Sequence, residues 1–282
     1  MEKGSLSMDD TTLYDARAVG KLLLDKAKKW WGLSIGLQIF VFAVGIVATS
    51  AGVGAKIAAL AVVAITVASY VCHLRSSTWH GRGDCLRRKL DLQDAYGWGV
   101  PGTEWSDILA TLGRRDRQKL KTVAQEPYFA SGQPSGARRA LENLQESSWF
   151  SKHFACVAGH ISLAVIVVLI GISIAAMAIA LNSLRDFDVM ANIARVVTSA
   201  LMLVFSMDLL SLTLRYYAFG SQAGLIERQA NEQLMSGQYD MVSSLKLWQD
   251  YHVNRAMAPL IPTWLWQWKR GDLNPIWETY RK

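Results

Sequence analysis

With 282 residues, 51% of them hydrophobic, and a formal charge of +7, the chain reads as part membrane protein and part soluble protein. In a soluble chain that charge would point to nucleic acid, but its distribution here argues against DNA as a partner. Three cysteines without CxxC spacing argue against a disulfide framework or a metal centre, and the polar first 29 residues argue against a secretory signal.

The chain opens on a predicted helix reaching Lys28, with Asp9, Asp10 and Thr11 as N-cap residues. Leu13, Ala16, Val19, Leu22 and Leu23 recur at helical spacing, while Lys21, Lys26 and Lys28 occupy polar positions. Such a helix either lies on a membrane surface or packs on the protein's own cytosolic parts. Lys29, Trp30 and Trp31 follow as an interfacial anchor, with cations at headgroup level and indoles at the boundary.

Four apolar stretches come next, at 30–55, 57–74, 154–184 and 196–214, and the first three contain no Lys, Arg, Asp or Glu. A transmembrane helix needs about 20 apolar residues, so each stretch is a predicted span. The fold class expected is an all-α membrane protein with four transmembrane helices arranged as two hairpins. Of the 30 Lys and Arg residues, 27 fall on one side of the alternating segments and 3 on the other. That bias predicts a multi-pass protein of the plasma membrane with both termini cytoplasmic. The expected organisation is an amphipathic helix at 1–29, hairpins at 30–74 and 154–216, a cytosolic helical region at 75–153 and a cytosolic helical tail at 217–282.

The first hairpin turns at Ser50, Ala51, Gly52, Val53 and Gly54, and the pairs Gly32/Gly36 and Ala64/Ala68 offer small surfaces for close helix packing. In the middle region, helices are predicted at 84–95 and 103–123. A third, capped by Ser135, continues unbroken into the third span and ends near Asn182. An outer loop around Asp186 and Asp188 leads to the fourth span. The tail is predicted to hold a helix ended by Gly237, a second over 239–257 stopped by Pro259, and a last turn opened by Asn274 and Pro275. Trp264, Trp266 and Trp268 alternate along that tail, as aromatics do in a membrane-surface belt and also in the plug of a soluble bundle.

Two constellations carry candidate chemistry. Asp208 is an acid at membrane depth, which marks a functional position by default; Ser211 and Arg215 share its helical face, and His160 lies at similar depth on the antiparallel neighbour. A His160–Asp208 pair is therefore expected, as a gate, a register-fixing contact or a proton site. The second is the run Trp79, His80, Gly81, Arg82, Gly83, Asp84, Cys85, Leu86, Arg87, Arg88 and Lys89. Glycine-freed amides and Arg forks suit phosphate, and indole suits a base face, so Trp79, His80, Arg82, Arg87, Arg88 and Lys89 are candidates for a nucleotide or for lipid headgroups. No Ser-His-Asp or Cys-His arrangement stands out, so no enzyme, catalytic residue or resident cofactor is expected.

Tyr251, Ala256, Ala258, Pro259, Leu260, Ile261, Pro262, Thr263 and Trp264, followed by Leu273, Asn274 and Trp277, resemble the end of the S-4TM family. These are four-span pore-forming effectors of bacterial antiphage defence systems built on cyclic-nucleotide signalling. The resemblance implies an effector triggered by a cyclic oligonucleotide from a partner nucleotidyltransferase. The bound form would oligomerise and permeabilise or depolarise the inner membrane, killing the infected cell. Ser34, Gln38, Thr66, Ser69, Ser173, Ser199, Ser206 and Thr213 supply hydroxyls and an amide for a narrow path through several copies. The competing readings are a small ion or proton transporter, with His160 and Asp208 as its proton site, and a membrane scaffold that recruits a cytosolic partner.

Overall fold

The computed structural model describes residues 14–51, 55–120, 128–182, 193, 197 and 208–281. These residues form eight helices and no strand. The expected N-caps at Asp9, Asp10 and Thr11, the glycines of the first turn, the helix end at Val123, the loop at Asp186 and Asp188, and most of the fourth apolar stretch lie outside the described residues.

Helix α1 covers Ala16–Ala51 and α2 covers Ala55–Tyr96, each without a break. The separate helix expected at 84–95 is the continuation of α2. Gly81 and Gly83 each weaken a helix interior by roughly 1 kcal/mol, and packing outweighs that cost. A Cβ on Gly83 would lie 2.9 Å from Leu24 Cδ2 and 3.3 Å from Leu23 Cβ, so glycine here lets α1 approach. Gly83→Val is therefore expected to cost about 1–3 kcal/mol in thermal unfolding. Gly83→Ala should cost less than the valine, because helix propensity improves while the added methyl still crowds Leu24 Cγ at 3.0 Å and Leu23 Cβ at 3.3 Å. A neutral valine variant would remove the close-packing role.

The helix expected over 103–123 is divided into α3, Gly102–Ala110, and α4, Arg114–Leu120. Leu112 N–H closes a tight turn on the Leu109 carbonyl, and the Gly113 carbonyl accepts from Asp116 and Arg117 to start the next helix. Helix α5, Ala137–Asn182, runs unbroken from the middle region into the third apolar stretch, as expected. Helix α6, Leu209–Ser236, ends at Gly237 with φ 68°, the left-handed position glycine adopts freely. Helix α7, Met241–Met257, is capped by Asp240, whose carboxylate accepts the Ser243 N–H at 2.7 Å. Helix α8, Thr263–Arg281, keeps Pro275 in its interior, where the sequence had suggested a new start.

The chain divides into two compact units. The first comprises Met1–Lys26, Trp79–Phe150 and Ala223–Ala256. Its core joins Val19 and Leu23 of α1 to Leu86 and Leu90 of α2 and to Trp105, Leu112 and Leu120. Val19 and Leu23 have no exposure, so the apolar stripe of the first helix is used on protein contacts. Helix α7 is fastened to α5 by Trp248 Nε1 donating to the Ala140 carbonyl at 2.9 Å and Tyr251 Oη donating to the Ser147 carbonyl at 3.2 Å.

The second unit comprises Ala27–Thr78, Ser151–Gln222 and Met257–Lys282. The tail expected as one cytosolic piece is thus shared between the two units. Ser34 and Ser69 exchange bonds, each hydroxyl donating to the other's carbonyl at 3.0 Å, and Ser76 Oγ donates to the Ala27 carbonyl at 2.8 Å. That pairing makes α1 and α2 antiparallel. Thr213 Oγ1 reaches Ser162 Oγ at 2.7 Å between α6 and α5.

Among the described residues, two helices are long and apolar enough to cross a membrane, α2 over Leu60–Tyr96 and α5 over Ala137–Ala175. The core helix of a soluble protein would be mostly buried, but only 17% and 28% of their most apolar windows are. Leu60, Val63, Val67, Val167 and Ile174 stand largely uncovered.

Candidate functional site

The basic run on α2 is helical, which changes what it can bind. Its backbone amides are engaged in the helix, so the glycines free no N–H cradle for phosphate. At about 100° per residue the six candidate side chains also separate around the axis. Trp79 leans on the core, with Lys26 Nζ 4.6 Å and the Arg82 guanidinium 5.3 Å from its ring centre. Lys89 is paired with Glu104 of α3. Arg87 Nη2 donates to Tyr128 Oη at 2.9 Å. Arg88 Nε lies 3.0 Å from Asp84 Oδ2, an ion pair whose angle makes no hydrogen bond. His80 is half-buried on the face that carries Asp84 and Arg87. The geometry therefore brings His80 and Arg87 together and sends Trp79, Arg82 and Lys89 elsewhere.

What this face builds is a buried charge network that the sequence reading missed. Asp91, with 1% side-chain exposure, accepts from Arg17 Nη1 at 2.7 Å and from Arg255 Nη1 at 3.1 Å. Arg255, one helix away on α7, also donates through Nε to Asp84 Oδ1 at 3.2 Å. Asp94 accepts from Arg139 Nη2 at 2.9 Å, and Arg17 Nη2 reaches the Leu90 carbonyl at 2.8 Å. The Arg17 guanidinium also stacks 4.2 Å above the Tyr128 ring. His252 Nε2 stands 3.6 Å from Asp91 Oδ2, an electrostatic neighbour beyond hydrogen-bond length. Asn143, fully buried on the α5 face beneath α7, has partners for neither its amide N–H groups nor its carbonyl among protein groups. One signal was available: Trp248, Tyr251, His252 and Arg255 stand at i, i+3, i+4 and i+7, a single helical face ending in a cation.

The electrostatics follow from burial and from these partners. Burial pushes the Asp91 carboxyl up, but Arg255, His252, Arg87 and Arg17 outweigh it and hold the group well below the usual carboxylate range. Burial likewise pulls the Arg255 guanidinium down, and Asp91, Tyr251 and Asp84 reverse that, leaving its cation strengthened. For His252, burial lowers the pKa further than Asp91 raises it, so the net shift is downward. His80 is also lowered, by burial first, against the pull of Asp84.

The sign of the pH dependence is set by which state binds protons first. Unfolded histidines protonate near pH 6.5, while folded His80 and His252 resist until lower pH. Stability is therefore expected to fall as pH drops below about 6.5. A further loss is expected below about 3.8, where unfolded carboxyls protonate and Asp91 does not. Melting curves of wild type and of His80→Gln/His252→Gln check this: the double variant should show a shallower decline from pH 7 to 5. Equal slopes would overturn the assignment.

The His160–Asp208 pair is corrected by the register of α5 against α6. Thr213 faces Ser162, and the Tyr217 ring packs against Gly159 and edge-on against His160 at 5.5 Å. Asp208 then lies level with residues 167–168, eight residues or about 12 Å along the axis from His160. Asp208 itself precedes α6 with φ 49°, and its carbonyl accepts the Leu212 N–H at 2.8 Å. It stands at a helix start, where aspartate tolerates the left-handed conformation. Ser211 is half-buried and Arg215 exposed on α6.

Of the hydroxyls expected along a conducting path, Ser199 and Ser206 lie outside the described residues, and the other five are engaged elsewhere. Ser34, Ser69, Ser173 and Thr213 are all buried, and each donates within or between helices. Thr66 Oγ1 bonds the Val62 carbonyl of its own helix. Among the described residues, no three His, Cys, Asp or Glu side chains gather as for a metal ion.

Comparison with family models, curated proteins and solved structures yields no match. Among the described residues the geometry is all-helical, with two helices long and apolar enough to cross a membrane and a buried arginine–aspartate–histidine network.

Proposed function

We propose that the chain is a polytopic protein of the bacterial inner membrane, its four spans folded as two hairpins with both termini cytoplasmic. It acts as an effector that oligomerises and permeabilises or depolarises that membrane when a cyclic-nucleotide messenger is engaged. The observation that carries the membrane part is the uncovered apolar surface of α2 and α5, such as Leu60 and Val167, at 73% and 60% exposure. Large exposed apolar surface marks a membrane or partner interface more than the face of a soluble monomer. The effector part rests on the S-4TM-like tail and on the internal bonding of the span hydroxyls. Ser34, Ser69 and Thr213 bonded between helices are what a closed form would show, and an effector needs one to spare its host.

Opening would require Ser34–Ser69 and Ser162–Thr213 to exchange partners, so a messenger must favour the open form by several kcal/mol. Arg82, exposed on α2, and Arg88, half-buried beside Asp84, are its candidate contacts, and anionic headgroups are the competing ligand there.

The test is inducible expression with a membrane-potential dye, with and without candidate cyclic nucleotides. Messenger-dependent depolarisation and growth arrest are expected. A potential that no messenger alters would leave the scaffold reading in its place. Asp208→Asn with unchanged toxicity and conductance would remove that acid from the path.

A further inference from the structure

We infer that α8 is an interfacial helix whose Trp264 and Trp268 insert into the lipid boundary of the membrane, with Lys269 and Arg270 at headgroup level. The inference rests on the membrane reading above and deepens it by assigning a lipid-binding surface to the tail. On the helix, residues 264, 268, 271 and 275 follow one another at i, i+4, i+7 and i+11, forming a narrow stripe. Its members are Trp264, Trp268, Gly271 and Pro275, and the two indoles are 54% and 57% exposed. The opposite side of the helix is docked: Leu265, Leu273 and Trp277 are buried. The apparent alternation of tryptophans in the sequence is therefore resolved by the helix, which turns Trp266 away from the other two and sets the Arg270 guanidinium 4.6 Å above its ring. Lys269 Nζ lies 4.5 Å from the Trp268 ring centre.

The docking site decides the occupant of the free stripe. Leu265 packs against Ala158 and Tyr216, with Ile161 and Leu212 beside them, and Tyr216 Oη donates to the Leu260 carbonyl at 2.6 Å. Ala158 and Ile161 stand within the first two turns of the apolar run of α5, just past Lys152 and His153; Leu212 and Tyr216 flank Arg215 on α6. Those are the positions where apolar helix surface meets its first charges, which is the depth of a bilayer's polar boundary. An indole stripe held at that depth, with cations next to the rings, matches the amphipathic needs of the headgroup region. The uncovered apolar residues Leu60, Val63, Val67, Val167 and Ile174 of α2 and α5 belong to the same unit.

The experiment uses the full chain, with Cys72, Cys85 and Cys156 replaced, in nanodiscs of phosphatidylcholine and phosphatidylglycerol. Single cysteines at Trp264→Cys, Trp268→Cys and Val167→Cys carry a nitroxide, and its accessibility to oxygen and to a water-soluble nickel chelate reports depth. The expected result is a deep label at position 167 and shallow, lipid-contacting labels at 264 and 268, within roughly 5–10 Å of the boundary. A deep label at 167 with fully water-accessible labels at 264 and 268 would overturn the inference and leave the membrane reading intact. Labels at 264 and 268 shielded from both relaxants would assign the stripe to a protein partner, also overturning it. A water-accessible label at 167 would sink the membrane reading itself.

Discussion

Replacing Arg255 by methionine should destabilise the protein by about 3–5 kcal/mol, the cost of leaving buried carboxylates without their partner. Arg255 is 8% exposed at its side chain and bonds both Asp84 and Asp91, which are 6% and 1% exposed. Removing the guanidinium leaves Asp91 with Arg17 as its remaining arginine hydrogen-bond donor, and it also lifts the main cationic influence holding that carboxyl ionised. A thermal-unfolding shift on the order of 10 °C is expected for a domain of this size. The partner experiment separates charge from packing. Asp91→Leu combined with Arg255→Met should cost less than the sum of the two single changes, because no charge is then stranded. A loss under about 1 kcal/mol for Arg255→Met would mean Arg17 suffices and the network is not what holds α7.

Trp248→Ala is expected to cost a similar amount, about 3–5 kcal/mol, for a different reason. Trp248 has no exposure and packs against Tyr251 and His252 with ring centres 5.8 and 4.9 Å away. Truncation opens a cavity that the flanking helices cannot fully close. Trp248→Phe should lose only about 1–2 kcal/mol, since it keeps most apolar area and gives up one hydrogen bond to the Ala140 carbonyl. That carbonyl already lies within a helix ladder, so no orphan acceptor is created. Chemical denaturation of the purified chain measures both. A phenylalanine variant as damaged as the alanine one would mean that the indole bond, not volume, secures α7 to α5.

Physical reasons decide which features could be read from the residues in order. The continuity of α5 was legible, since Leu141, Leu144 and the apolar run share one helical period with no breaker between them. Gly237 and Pro259 marked their helix ends correctly, because a left-handed position and a missing N–H act locally. The pairing of Arg255 with Asp84 and Asp91 was hidden, because those residues lie more than 160 positions apart and meet only when α7 lies against α2. How the basic run on α2 is shared out was hidden for the same reason: six cations and aromatics close in the chain face different neighbours once coiled at 3.6 residues per turn. His160 and Asp208 failed because equal distance from a boundary does not fix helix register, which Thr213, Ser162 and Tyr217 decide by contact.

By itself the amino-acid order determined helical content, the apolar stretches and the cationic bias along the chain, all of which depend on near neighbours and composition. Only the tertiary structure decided which polar groups are satisfied, which carboxylate meets which arginine and which tryptophans remain free. Those outcomes depend on the approach of distant helices, where an error of one residue in register turns every side chain by about 100°.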